Sequence, residues 1–209
     1  MRRSRLPRHV TETVRCSDGL VQAKKGASKV GMHVHEFMTL DGVIDTPKWT
    51  FDYEFLPEMG KALGAVTERC DGILLGRVTY QMFEPAWSTR TVEEDPGAPF
   101  FNDTTKYVVS GTLTDPTWRN STAIGPYDSG TIHKLKDDVG DLYVSGSGTL
   151  VRAMLEDGLV DEFHLLVYPL TVGSGPRLFT AEARPHKFTL AQCESYEHGV
   201  VYLNYRRQA

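Results

Sequence analysis

From residue 30 onward the sequence alternates short apolar runs with segments of helical period, and several of the runs end in a turn of small residues. Short apolar strands joined through helices are buried only in a sheet covered on both faces, so the alternation restricts the chain to an α/β architecture. Residues 30–38 read as the first strand, followed by the loop 39–45. A helix from about Glu54 carries Phe55, Leu56, Met59, Leu63 and Val66 at helical spacing, with Pro57 in its first turn, where a missing N–H costs little. Residues 73–75 form a short buried strand, and 76–80 turn into a second helix that Pro85 is expected to stop. Residues 88–104 read as a loop containing Pro96, Gly97 and Pro99. Strands follow at 107–109, around Thr122 and at 142–144, with a helix near 130–138. The next helix buries Leu150, Val151, Met154 and Leu155 and ends at Gly158. Strand 161–168, a Gly-Ser-Gly-Pro loop at 173–176 and a hairpin of strands 187–195 and 199–206 complete the pattern. The expected fold is α/β: a mixed, mostly parallel sheet flanked by helices, with a C-terminal antiparallel hairpin.

The formal charge of −4 is unevenly spread. Residues 1–29 hold eight Lys or Arg against Glu12 and Asp18, which makes that segment +6; the remaining 180 residues hold 15 bases and 25 acids, or −10. The segment lacks apolar periodicity and has no apolar core of the kind a signal peptide needs, so it reads as a disordered basic arm preceding one domain over 30–209. Apolar stretches fall far short of the ~20 residues that cross a bilayer. Three cysteines, none in a Cys-x-x-Cys pair, speak against a disulfide framework and the common zinc spacings. The acidic domain shows no basic stripe for nucleic acid. These features describe a cytoplasmic protein that handles a small molecule, without nucleic acid, membrane or metal.

In open α/β sheets ligands bind at the loops that follow the strands. Three such loops suit a dinucleotide. Ser145-Gly146-Ser147-Gly148-Thr149 leads from a strand into a helix, where glycines let backbone N–H groups approach a diphosphate. Gly76-Arg77-Val78-Thr79 does the same and adds a cation and a hydroxyl. Ser110-Gly111 is small enough for a ribose or phosphate to pack on the backbone. The Rossmann fingerprint Gly-x-Gly-x-x-Gly is absent.

These stretches carry a resemblance. Thr-Leu-Asp-Gly-Val-Ile-Asp at 39–45, Leu-Leu-Gly-Arg-Val-Thr-Tyr at 74–80 and Val-Val-Ser-Gly-Thr-Leu at 108–113 are similar to the dihydrofolate-reductase-like superfamily. Within it, the runs beginning at Ser145, Gly158 and Pro169 resemble the RibD C-terminal reductase domain of riboflavin-pathway deaminase-reductases. The resemblance spans residues 30–206. It implies an NADPH cofactor, with NADH not excluded, and the reduction of 5-amino-6-(5-phosphoribosylamino)uracil. It places Gly76, Arg77, Val78 and Thr79 on the cofactor phosphates, Ser110 and Gly111 by the adenosine ribose, and Ser145 to Leu150 around the diphosphate. The 39–45 loop would cover nicotinamide and substrate. It also implies a homodimer, for which the hairpin residues Val200, Val201, Leu203 and Tyr205 offer a self-complementary edge. The zinc deaminase signatures of the bifunctional enzymes, His-x-Glu and Pro-Cys-x-x-Cys, are absent.

Candidate substrate contacts are Thr39, Asp41, Trp49, Tyr53 and Arg177. Asp41 is the leading polar candidate, although Asp-Gly is also a turn signal. Trp49, Phe51, Tyr53 and Phe55 would form either a stacking wall for a flat ring or a lid over the core. Asp41 and Glu84 are the candidate catalytic acids, Glu84 because Phe83-Glu84-Pro85 stands where pathway reductases carry an Asp-Asp-Pro-like run. Asp52, Glu54 and Glu58 near the first helix read as dipole-favouring acids. His33 and His35 share one strand face, with no evident third metal ligand. Two alternatives remain beside the pathway reductase: a dihydrofolate-like or general carbonyl or imine reductase, and a nucleotide-binding module without catalysis.

Overall fold

The apolar runs become strands of one sheet because each can be covered on both sides by an amphipathic helix. A computed structural model describes residues 31–44, 47–181 and 183–208. The basic segment 1–29 and Asp45 lie outside the described residues. The elements are β1 (Met32–Thr39), α1 (Pro57–Thr67), β2 (Gly72–Gly76), α2 (Arg77–Trp87), α3 (Ala98–Asp103), β3 (Thr105–Val109) and β4 (Ser121–Ala123). They continue with α4 (Ser129–Val139), β5 (Leu142–Ser145), α5 (Gly148–Glu156), β6 (Glu162–Tyr168), β7 (Phe188–Ser195) and β8 (Val201–Arg207). Short 3-10 turns occupy Lys48–Asp52 and Glu197–Gly199.

The eight strands lie in the order β4-β3-β2-β5-β1-β6-β8-β7. Strands from β4 to β6 pair in parallel, whereas β8 runs antiparallel to β6 and to β7. On one face, Met32, Val34, Leu74 and Val144 pack on Ile132 of α4 and on Leu150, Val151, Met154 and Leu155 of α5. On the other, Ile73, Leu75 and Tyr143 meet Val66, Tyr80, Phe101 and Trp118, and Met59 packs with Leu166, Tyr168 and Tyr202. Each such buried apolar side chain contributes roughly 1.5–3 kcal/mol.

Three expectations are corrected. Pro85 does not stop α2, which runs to Trp87. In a last turn a proline forfeits one backbone bond, and Asn102 Nδ2 satisfies the terminal Trp87 carbonyl at 2.8 Å. The supposed loop 88–104 contains α3. Its end is held by the buried Lys106, whose Nζ donates to the carbonyls of Phe101 at 2.8 Å and Thr104 at 2.9 Å. A cation at a helix C-terminus is favourable, and that contact arises only once β3 is in place. The C-terminal hairpin exposes β7 rather than β8 as the edge, because β8 is paired on both sides. Val200 is buried, and Leu203 and Tyr205 pack on the core.

Candidate functional site

The parallel strands β1, β2, β3 and β5 end at one rim of the sheet, and the segments there enclose a cleft of about 670 Å³. Parallel register brings these ends together, although the residues lie far apart in sequence. The glycine loops and Ser110–Gly111 converge here: Gly76, Arg77, Val78, Thr79, Ser110, Gly111 and all of Ser145 to Leu150 line the cleft.

Two helices open into it. Gly76 is the N-cap of α2 and Ser147 that of α5, and no side chain caps either end among the described residues. Their first-turn N–H groups are therefore without a side-chain cap at the cleft, the kind of helix end that suits an anion. The glycines have steric reasons. A β-carbon on Gly76 would collide with Ser147 Oγ, and one on Gly146, at φ +61°, would lie 2.8 Å from Thr79 Oγ1. Two guanidinium groups add positive charge. Arg77 donates to Gln81 Oε1 at 3.2 Å, and Arg152 donates to the Arg177 carbonyl at 2.8 Å. Ser110 is committed to its own loop, its Oγ accepting from Leu113 N at 2.9 Å and Thr112 N at 3.1 Å.

The expected substrate residues occupy other places. Thr39, Asp41, Trp49, Tyr53 and Arg177 are absent from the lining of the cleft. Asp41 joins two loops: it accepts from Thr39 Oγ1 at 2.6 Å and Gly173 N at 2.8 Å, and pairs with Arg177 at 3.5 Å. The Thr39 hydroxyl, then the Gly173 and Val172 N–H groups, lower its carboxyl to about 2. Trp49 and Tyr53 pack edge-on against Tyr168, with centroids 5.1 and 5.2 Å away, as part of the α1 core. Of the two sequence alternatives, this is the core lid. Glu84, also outside the lining, accepts a hydrogen bond from Thr117 Oγ1.

Ile44 of the 39–45 loop does line the cleft, together with residues that sequence reasoning missed: Glu36, Phe37, Met82, Phe83, Tyr127 and Arg152. Glu36 is the most unusual, with 7% exposure and an Oε1 that lacks a hydrogen-bond partner among the described residues. Burial raises its carboxyl to about 8, against the lowering effects of the Gly146 N–H and the Arg152 charge. The available signal was its position on the face shared by Met32, Val34 and Met38, where an apolar side chain is ordinary.

The shared face of His33 and His35 leads away from the cleft. Register with β6 supplies partners that the sequence did not reveal: ligand-capable atoms of His33, Glu162 and His164 lie within 4.8 Å of one another. Asp141 meets His33 Nε2 at 3.0 Å, the Tyr202 hydroxyl meets His164 Nδ1 at 2.7 Å, and Arg206 and Arg69 reach Glu162 at 2.9 and 3.4 Å. Burial acts to raise the Glu162 carboxyl, but hydrogen bonds from His164 and His33 outweigh it and hold the group well below the usual range. Two guanidinium groups on one carboxylate make this a self-neutralised polar network.

The geometry has counterparts among known proteins. The chain is 28% identical over 178 residues to the uncharacterised protein YyaP of Bacillus subtilis (strain 168), which covers 80% of this chain and 90% of that protein. A candidate riboflavin biosynthesis protein from Shewanella sp. PV-4 superposes with a TM-score of 0.70 at 19% identity, over 86% of this chain and 99% of that one. A diaminohydroxyphosphoribosylaminopyrimidine deaminase/5-amino-6-(5-phosphoribosylamino)uracil reductase from Thermotoga maritima superposes with a TM-score of 0.60 at 14% identity, over 86% of this chain and 57% of that one. No helix of the described residues is long and apolar enough to cross a membrane. The RibD C-terminal domain model matches residues 32–125 and 129–202, and the chain belongs to that family.

Proposed function

We propose that the cleft binds a reduced nicotinamide dinucleotide, NADPH foremost, and that the protein is an oxidoreductase acting on a small molecule such as 5-amino-6-(5-phosphoribosylamino)uracil. The observation that carries this reading is the convergence of two uncapped helix N-termini, α2 and α5, on one glycine-lined cleft. That arrangement fits a diphosphate: backbone N–H groups meet its oxygens, and glycine at 76 and 146 leaves room for close approach. Arg77 is the cation suited to a 2′-phosphate, which favours NADPH over NADH.

The cofactor supplies hydride when bound; the chain's residues bind, orient and exclude water. Ser145 to Leu150 would hold the diphosphate, with Arg152 balancing its charge. Phe37, Ile44, Met82 and Phe83 supply apolar walls that keep water from the reacting atoms. Fluorescence titration with NADPH and NADH tests the cofactor, and loss of absorbance at 340 nm with the pyrimidine or with dihydrofolate tests the reaction. No binding of either cofactor at millimolar concentration refutes the reductase reading. Binding without turnover of any substrate favours the non-catalytic module.

The β7 edge, the last strand of the sheet order and carrying an exposed Leu190, is the surface along which a second copy would pack to form a homodimer. Sedimentation velocity at twice the monomer mass supports this, and a monomer at micromolar concentration refutes it.

A further inference from the structure

A reductase that adds hydride to a polar double bond also needs a proton source. The titratable side chains lining the cleft are Glu36, Arg77, Tyr127 and Arg152. The guanidinium groups are too weakly acidic to give up a proton near neutrality. The Tyr127 hydroxyl donates to Asp157 at 2.7 Å, and burial raises its pKa further. Asp41 is ionised and held by Thr39 and Gly173 outside the lining. Glu36 differs from all of these: it is buried, one oxygen is satisfied by the Gly146 N–H, and Oε1 has no partner among the described residues.

We propose that Glu36 is the proton donor of this cleft, and that the molecule reduced there carries a C=N or C=O bond whose heteroatom takes that proton. The proposal rests on the reading that reduced nicotinamide binds here. In the step, the substrate carbon accepts hydride, with its electron pair, from the reduced nicotinamide. The π electrons of the double bond take the Glu36 proton, so that an N–H or O–H bond forms as the carboxyl O–H bond breaks. The substrate gains two electrons, the nicotinamide loses two, and Glu36 is left as a carboxylate that solvent reprotonates.

The surroundings favour the neutral acid before the step. Leu165 of β6 stands beside Glu36 in register, and Ile44 adds apolar surface from the following loop. The facing polar groups are the Gly146 N–H and Arg152 from α5; Tyr143 of β5 lies on the opposite face of the sheet, with His35, and feels Glu36 only through the carboxylate's charge. Across the glycine loop, α2 contributes Thr79 and Arg77. Burial outweighs Arg152 and keeps the proton on up to about pH 8. A neutral carboxyl also avoids repelling a diphosphate bound at the adjoining loop.

Glu36→Gln preserves shape and removes the acid. In unliganded protein labelled with ¹³C-glutamate, one carboxyl carbon should titrate near pH 8 in the wild type and be missing from the variant. NADPH affinity should stay within about threefold, as the diphosphate contacts are untouched. With dihydrofolate, the phosphoribosylaminopyrimidine, 4-nitrobenzaldehyde and 2-cyclohexenone as probes, wild-type kcat should fall tenfold per pH unit above the Glu36 pKa. Glu36→Gln should lower kcat by about a hundredfold or more and flatten that profile, in keeping with lost acid catalysis. Unchanged turnover with an unchanged profile, or no carboxyl titrating above pH 6, overturns the donor role. A wild type that binds NADPH but reduces only the C=C bond of cyclohexenone, or nothing, overturns the substrate class. A wild type that binds no cofactor removes the underlying reading and this proposal with it.

Discussion

Gly146 stands against Thr79 in a left-handed conformation, so that any β-carbon at 146 would lie 2.8 Å from the threonine hydroxyl. The approach joins the loop after β5 to the first turn of α2 and holds two anion-seeking helix ends at one place. Gly146→Val introduces a strained backbone costing about 1–2 kcal/mol. It also fills the space proposed for a diphosphate. NADPH affinity should fall at least about tenfold, equivalent to 1.4 kcal/mol, with circular dichroism unchanged. Affinity within twofold of wild type would refute the assignment of this loop to the diphosphate.

In the proposed reading, Arg77, which lines the cleft, is the residue that would distinguish NADPH from NADH. Arg77→Ala should weaken NADPH by about tenfold, since a charge-assisted contact is worth roughly 1.5 kcal/mol or more, and should weaken NADH much less. The salt dependence of NADPH binding should decrease as well. Equal losses for the two cofactors would place the 2′-phosphate away from Arg77.

Asp41 is expected to matter for the fold rather than for binding. Its carboxyl sits at about 2 against the ordinary 3.8, so its hydrogen bonds stabilise the folded state at all pH values above about 4. That contribution is lost as pH falls from about 4 towards 2, where the folded state begins to take up the proton. Asp41→Asn should therefore lower Tm at pH 7 by more than at pH 2.5, and leave NADPH affinity unchanged. A large rise in cofactor Kd at pH 7 would restore Asp41 to the binding site.

Glu36 has the opposite linkage. Its folded value of about 8 exceeds the ordinary 4.5, so between these the folded state holds a proton that the unfolded state has released. Stability therefore declines as pH rises across that window, by about 1.4 kcal/mol per unit at most. Glu36→Gln removes the decline, and its Tm relative to wild type should be higher at pH 8 than at pH 5. A pH-independent difference in Tm would show that Glu36 is ionised in the folded protein.

Trp49 tests the lid. Its ring packs on Tyr168 at 5.1 Å beside Leu56 and Leu63, away from the cleft lining. Trp49 is half-buried, so Trp49→Ala should cost about 2 kcal/mol in chemical denaturation, below the range for a fully buried tryptophan. NADPH affinity should change by less than about threefold. A loss of binding without loss of stability would return Trp49 to the substrate wall.

Much of this was legible from local pattern. Ile73–Leu75 and Tyr143–Val144 reveal buried strands because their apolar runs are continuous, and the glycine turns after them mark where a ligand can approach backbone. The alternation alone was enough to infer the α/β sheet, and the three small-residue loops were enough to locate the cleft's floor. α3 escaped because it is held by Lys106, which reaches back from β3 after the chain has folded. The edge strand was misplaced because pairing β8 with both β6 and β7 is long-range information.

The placement of the candidate site side chains depended still more on the tertiary fold. Asp41 and Trp49 look like ligand residues by type, and the folded chain directs them to Arg177 and Tyr168 instead. Glu36 looks like one polar residue in a strand. Only parallel pairing of β1 between β5 and β6 buries it at the cleft wall, brings the Gly146 N–H to its carboxyl and leaves Oε1 buried without a hydrogen-bond partner among the described residues. Backbone periodicity determines which elements form, since it is a property of neighbouring residues. The protonation state of a carboxyl is determined by the solvent and charge around it, and those come from residues a hundred positions away.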